Sequence, residues 1–211
     1  ETPPTIITLT LPTPRDGGIP SAEATATLLS QRGDLAQVRQ FHYQGLLADL
    51  TDAIRNGEIE PWFQPQVRLS DGRLHGAEVL ARWRHPTRGL LMPDVFLPAA
   101  EQAGMMVDLD HAVWRSAMHQ AKAWETANVW RPVISLNAAP DTIADPYFLE
   151  RFLLSLQRSG LDADQVIVEV LETTLISGKD DVAAINIDSL ADCGIALELD
   201  DFAVGMLDKY Q

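Results

Sequence analysis

From residue 60 onward, short apolar runs alternate with longer segments whose apolar positions recur every three or four residues. "PWFQPQVRL" (61–69) and "LHGAEVLARW" (74–83) read as strands flanking Ser70-Asp71-Gly72-Arg73, a turn sequence, and so predict an antiparallel hairpin. "PDVFLPAAEQAG" follows as a helix, with Pro93 near its first turn and Gly104 after its last. The longer helix "LDHAVWRSAMHQAKAWE" carries Leu109, Val113, Ala117, Ala121 and Trp124 on one stripe. Strand "PVISLN", helix "DPYFLERFLLSLQRSG", strand "VIVEV", a helix around 182–190 and strand "IALELDD" complete the series. This rhythm predicts a parallel α/β architecture, either a doubly wound sheet or a (β/α)8 barrel. No glycine-rich phosphate loop follows any of these strands, which weighs against the dinucleotide-binding form of the doubly wound sheet.

The N-terminal segment is different in kind. Its first twenty residues hold five of the thirteen prolines, which remove backbone donors and fix φ. An extended linker, or an edge strand through residues 6–11, is expected there. "SAEATATLLSQRGDLAQVRQF" is helix-prone, with Ser21 as a candidate N-cap and Gly33 as an interruption. In "LLADLTDAIRNG", Leu46, Leu47, Leu50 and Ile54 form an apolar face and Gly57 sits at the C′ position. Residues 1–44 are therefore read as a proline-rich extension and linker helix without chemistry, and residues 45–211 as the main domain.

Charge narrows the function. Sixteen basic against thirty acidic residues give a formal charge of −14, the wrong sign for binding a long nucleic acid by counterion release. A small phosphorylated ligand remains compatible where a divalent cation supplies positive charge locally. The single cysteine, Cys193, excludes a disulfide framework and reads as a core residue before Gly194. No apolar run reaches the ~18 residues that span a bilayer, and the start of the chain lacks a signal-peptide layout, so a cytoplasmic setting is expected.

Polar residues interrupt the strands at corresponding places. Glu78 lies in the second strand segment, Asn137 ends the third, Glu169 sits inside "VIVEV", and Asp200 with Asp201 closes the fifth. In a parallel barrel the carboxyl ends of the strands meet at one face, where active sites assemble. An unpaired carboxylate inside an apolar strand costs several kcal/mol at least, so each needs compensation. Taken singly, these groups could bond to loop amides and cap the following helices. Taken as a set, the oxygen-only donors point to Mg²⁺, Mn²⁺ or Ca²⁺ rather than zinc.

The ordered motifs also resemble a known family. "WFQPQVRLSDGRLHGAEVLARWRHPTRGLLMPDVFLPAAEQAG", "SLNAAP", "VIVEVLET" and "LDDFAVG" are similar, in order and approximate spacing, to the EAL domain, a bacterial phosphodiesterase domain that hydrolyses cyclic di-GMP. Glu78-Val79-Leu80 stands where Glu-Ala-Leu is usual, and the resemblance covers residues 46–205. It implies a modified (β/α)8 barrel whose first strand is antiparallel, with about five of the eight strands in this chain. It implies further that Glu78, Asn137, Glu169 and Asp200 ligate a catalytic Mg²⁺ or Mn²⁺, with Asp200 and Asp201 facing a second metal. Gln64, Leu80 and Arg82 match ligand-site positions, and Glu172 matches a glutamate that positions the loop after the aspartates.

The departures matter too. Leu171 replaces a usual threonine, and "DDFAVG" has alanine and valine where glycine and threonine are usual. The family lysine, glutamate and glutamine beyond the aspartates cannot be assigned here, and Lys209 lies too close to Asp201 to be that lysine. The domain at 45–211 is accordingly expected to be truncated at its C-terminal end, with an open barrel edge covered by a second copy through edge pairing or exchange of "TIITLTL". His85 in "RWRHP" is read as shaping its loop, Arg84 and Arg88 as a solvated face, and Trp62, Trp83, Trp114, Trp124 and Trp130 as packing residues.

Three functions compete at this point: a cyclic di-GMP phosphodiesterase yielding the linear dinucleotide in a complete parent protein, with little or no hydrolysis expected of residues 1–211 alone; a non-catalytic receptor for the same ligand; and an unrelated metal-dependent barrel enzyme. An upstream sensor or signalling domain, which could tether the domain to a membrane, is expected in either of the first two.

Overall fold

The computed structural model describes residues 6–8, 35–171 and 182–200, with side chains for 46–171 and 182–199. A short strand β1 (Ile6–Thr8) precedes a long helix α1 (Leu35–Asn56), which continues unbroken past position 44. Strands β2 (Ile59–Arg68) and β3 (Leu74–His85) form the predicted hairpin, and β4 (Gly89–Leu91) folds back on β3. Helices α2 (Pro93–Gln102) and α3 (Met106–Thr126) lead to β5 (Ile134–Ala138), the short helix α4 (Pro140–Ile143) and α5 (Phe148–Ser159). A 3-10 turn (Ala163–Gln165), β6 (Val166–Leu171), α6 (Val182–Asp192) and β7 (Ala196–Asp200) follow.

These strands build a seven-stranded sheet in the order β1-β2-β3-β5-β6-β7, with β4 paired to β3 off that path. β2 runs antiparallel to β3, whereas β3, β5, β6 and β7 are mutually parallel. The predicted α/β architecture with an antiparallel first strand is therefore present, as an open, partial barrel. β1, β4, α4 and the 3-10 turn were not foreseen as distinct elements beyond the candidate edge strand at 6–11. That candidate pairs with the chain's own β2, Ile6 opposite Arg68 and Thr8 opposite Gln66.

Alternation along the strands explains why the helices lie on one side. Val79 and Trp83 of β3, Ile134 and Leu136 of β5, and Val166, Val168 and Val170 of β6 are buried against Leu50 of α1, Phe96 of α2, Leu109, Trp114 and Met118 of α3, and Phe148 and Phe152 of α5. Each such side chain contributes roughly 1.5–3 kcal/mol when fully buried. The α3 stripe behaves as predicted: Leu109, Val113, Ala117 and Ala121 are buried, and Trp124 meets Phe63 of β2 edge-on at 4.6 Å. On α1, Leu46, Leu50 and Ala53 face this core. None of the described helices is long and apolar enough to cross a membrane.

His85 shapes its loop as expected. Its Nδ1 accepts from the Thr87 backbone N–H at 3.2 Å, which leaves Nε2 to face Asp49 Oδ2 of α1, also at 3.2 Å. Arg84 is exposed and paired with Glu60, with Nη2 2.6 Å from Oε1. Cys193 contradicts its reading as a core residue: it is exposed, because it follows α6 in the turn that Gly194, at φ 78°, reverses into β7.

Gly76 admits no side chain. A Cβ there would lie 2.9 Å from Val133 O, a backbone atom that cannot swing away, and 2.9 Å from Gln66 Oε1. The same stretch of β3 accepts its first link to the parallel sheet, Ala77 N–H donating to Val133 O at 2.9 Å. Gly76→Ala is expected to lower stability by roughly 1–3 kcal/mol. Urea unfolding with an unchanged midpoint would show that β3 and the segment before β5 can separate without cost.

Candidate functional site

The face of the sheet turned away from the helices carries the polar positions. Because paired strand residues share a face, register alone places them: Gln64 lies opposite Glu78, Glu78 opposite Ser135, and Asn137 opposite Glu169. Trp62 lies opposite Leu80 and Glu60 opposite Arg82. Since β2 is antiparallel, its N-terminal residues meet the carboxyl end of β3, so Glu60 and Trp62 belong to the same rim as Leu80 and Arg82. Glu78, Asn137, Glu169, Gln64, Leu80 and Arg82, all singled out in the sequence, share this face. Asp200 ends β7 in register with Leu171, and only its backbone is described. Asp201 and Glu172 lie outside the described residues.

Local geometry is well defined around Glu78. Asn137 Nδ2 donates to Glu78 Oε1 at 3.2 Å, bridging β3 and β5. That bond leaves the Asn137 amide oxygen outside it. Glu169 is 8% exposed, as expected for a carboxylate set between Val168 and Val170. Among the described residues no three His, Cys, Asp or Glu side chains gather closely enough to hold a metal ion. The set implied by the resemblance draws also on an amide and on Asp200, and its chemistry is oxygen-only throughout.

Arg82 is half-buried. Its Nη1 donates to Ala81 O at 2.8 Å, its guanidinium carbon stands 5.7 Å from the centre of the Trp62 ring, and its buried Nε has no hydrogen-bond partner. Burial lowers its pKa from the ordinary value, with Asp94 acting in the opposite sense. A desolvated cation with an unused donor favours an anionic acceptor.

Beside these residues opens a cleft of about 500 Å³. It is lined by Leu80, Asn137 and Leu171 from the strand ends, by Asp94, Leu97 and Glu101 of α2, and by Met106, Asp110 and Trp114 of α3. A mostly apolar wall with a few polar groups is the usual make-up of a small-molecule site.

Several positions on or beside this face escaped the sequence reading. Glu198 on β7 is in register with Glu169 and so adds a carboxylate to the same face. Its two-residue spacing from Asp200 in "LELDD" was the available signal. Trp62 is 40% exposed, which corrects its reading as a packing residue: the alternation that buries Phe63 turns Trp62 to the open face. Asp110 was a carboxylate on the apolar side of α3. It is 7% exposed, and its Oδ2 accepts from Thr142 Oγ1 at 2.6 Å and from Ala139 N–H at 3.0 Å. Burial pushes its carboxyl up to about 6, against the opposing pull of those two bonds. One turn along, Trp114 Nε1 donates to Asn137 O at 3.0 Å. Helix α3 thus grips the chain at Asn137 and just after it.

Removing the Asp110 carboxylate would leave the Ala139 N–H and the Thr142 hydroxyl buried without an acceptor. Asp110→Ala is expected to cost about 1–3 kcal/mol, whereas Asp110→Asn, which keeps an acceptor oxygen, is milder. Equal thermal shifts for the two variants would assign the loss to volume rather than to the bonds.

Comparison with known proteins places this arrangement. The EAL domain model matches residues 47–209. The uncharacterized protein Rv1357c of Mycobacterium tuberculosis is 35% identical over 173 residues, 82% of this chain and 55% of that protein. Cyclic di-GMP phosphodiesterase NbdA of Pseudomonas aeruginosa is 33% identical over 157 residues, 74% of this chain and 20% of that protein. The structure of the PaMucR phosphodiesterase in its c-di-GMP complex aligns with a TM-score of 0.69 at 30% identity, covering 75% of this chain and 64% of that one. The chain therefore spans about half, or less, of the length of these curated relatives. With the motif residues gathered on one face of a partial α/β barrel, this chain belongs to the EAL domain family.

Proposed function

We propose that the domain acts in cyclic di-GMP signalling by metal-dependent hydrolysis of the cyclic dinucleotide to its linear form. The observation that carries this reading is the placing of Glu78, Asn137 and Glu169 on one sheet face beside Arg82. Oxygen donors beside a cationic side chain suit a metal-dependent phosphodiester hydrolase. The names of the NbdA and PaMucR relatives support it.

Glu78, Asn137, Glu169 and Asp200 would hold Mg²⁺ or Mn²⁺, with Asp201 contributing to a second ion. Bound divalent ions supply Lewis acidity at the phosphoryl oxygens and a water of lowered pKa. The chain's own residues do the rest. Asn137, fixed by its bond to Glu78 and by the grip of α3 on its backbone, holds its amide at a constant height on the face. Gln64 and Leu80 border the ligand, and Arg82 brings a partly desolvated guanidinium to a phosphate oxygen. Glu172 would position the loop that follows the aspartates. In this reading the domain works in the cytoplasm under an upstream sensor, and the α1 helix leads towards that connection.

Two substitutions test separate parts. In the domain with its remaining strands, Glu169→Gln is expected to reduce Mn²⁺-dependent turnover by at least about 100-fold, since even outer-shell changes at metal sites cost about 10- to 100-fold, while circular dichroism stays unchanged. Unaltered turnover would remove Glu169 from the ligand set. Arg82→Ala is expected to weaken cyclic di-GMP binding in Ca²⁺ by roughly 10- to 100-fold, the value of a lost charge-assisted bond. Tight binding without hydrolysis in Mg²⁺ or Mn²⁺, by the domain carrying its remaining strands, would assign it as a receptor instead.

A further inference from the structure

The geometry points to Trp62 as a stacking platform for a guanine base of the bound cyclic dinucleotide. This inference rests on the ligand proposed above and adds a contact that none of the motif residues supplies.

Four observations converge. Trp62 is 40% exposed, and register with Leu80 puts it on the polar face, at the rim where β3 ends. Its neighbours on β2 are accounted for: Phe63 packs on Trp124 in the helix layer, and β1 pairs with β2 only as far as Gln66, so among the described residues no strand covers the ring. The ring is braced. Trp62 Nε1 donates to Glu60 Oε1 at 2.9 Å, and that same oxygen accepts from Arg84 Nη2 at 2.6 Å. Burial raises the Glu60 carboxyl, but the bonds from Arg84 and Trp62 outweigh it and hold it below its ordinary value, so the brace stays ionised. Finally, the Arg82 guanidinium lies 5.7 Å from the ring centroid, placing a phosphate-binding cation next to an aromatic surface.

Each feature has a use in nucleotide binding. An indole fixed in advance loses little conformational freedom when a base settles on it. Purine rings stack on any aromatic face, and a neighbouring cation anchors the adjoining phosphate. Trp62 and Arg82 can therefore engage one nucleotide together, base and phosphate, while Glu78, Asn137 and Glu169 address the reacting phosphodiester. The Glu60–Arg84 pair neutralises a carboxylate that would otherwise repel the ligand at the rim.

The experiment is a titration of the full 211-residue chain with cyclic di-GMP in Ca²⁺, read by calorimetry and by tryptophan fluorescence. Trp62→Ala is expected to weaken binding about 5- to 100-fold. Trp62→Phe, which keeps an aromatic face, is expected to restore most of the affinity. Ligand-induced quenching in the unaltered chain should fall in Trp62→Phe, where Trp114 in the cleft wall remains. Thermal unfolding should remain cooperative in both, since Trp62 lies outside the buried core. Affinity within twofold of the unaltered chain in Trp62→Ala, or quenching undiminished in Trp62→Phe, overturns the stacking role and leaves the ligand assignment standing. No binding by the unaltered chain overturns the ligand assignment, and the stacking role with it.

Discussion

Strand alternation is the constraint on which the rest of this structure depends. Successive side chains on β3, β5 and β6 point to opposite faces, so sealing Val79, Leu136 and Val168 under the helices forces Glu78, Asn137 and Glu169 to the other side. A one-residue slip would exchange the two sets, burying carboxylates among leucines and phenylalanines. The apolar core thus sets the register of the site without touching it, and Gly76 lets β3 approach closely enough for that register to hold.

The helix layer contributes more than apolar cover. Asp110 and Trp114, a turn apart on α3, bond to Ala139 N–H and to Asn137 O, the backbone at a site residue and just beyond it. Asp110 sits among apolar neighbours, where an ionised carboxyl is costly, and its raised pKa records that cost. Two good donors offset part of it. The result is a loop at the end of β5 whose geometry is set by a helix rather than by the loop's own sequence.

Electrostatics divide the molecule in a comparable way. With a formal charge of −14 the chain repels anions at long range, yet the rim gathers Arg82 and Arg84 from one strand. Arg84 is spent on Glu60, which leaves Arg82 with an unused buried donor. A local cation beside oxygen donors suits a small phosphorylated ligand better than an extended polyanion, whose many charges would meet the acidic remainder of the surface.

The order of strands and helices, the hairpin around Gly72, the α3 stripe, the antiparallel first strand and the motif positions were all legible in the sequence. Each depends on local periodicity, on turn chemistry or on ordered motifs. Periodicity also placed Glu169 within an apolar strand and raised the need for a compensating partner. What needed the tertiary structure was anything decided by which strand lies beside which. Trp62 and Trp83 look alike in sequence, but one lies on the open face and the other is wholly buried beside Phe96. Asp110 and Glu198 are ordinary acidic residues until folding puts one beneath the β5 loop and the other in register with Glu169. Cys193, before Gly194 at a helix end, read as core, and the reversal at Gly194 leaves it exposed. Alternation and amphipathicity are written into short stretches of chain, whereas contacts between residues dozens of positions apart exist only after the sheet has assembled.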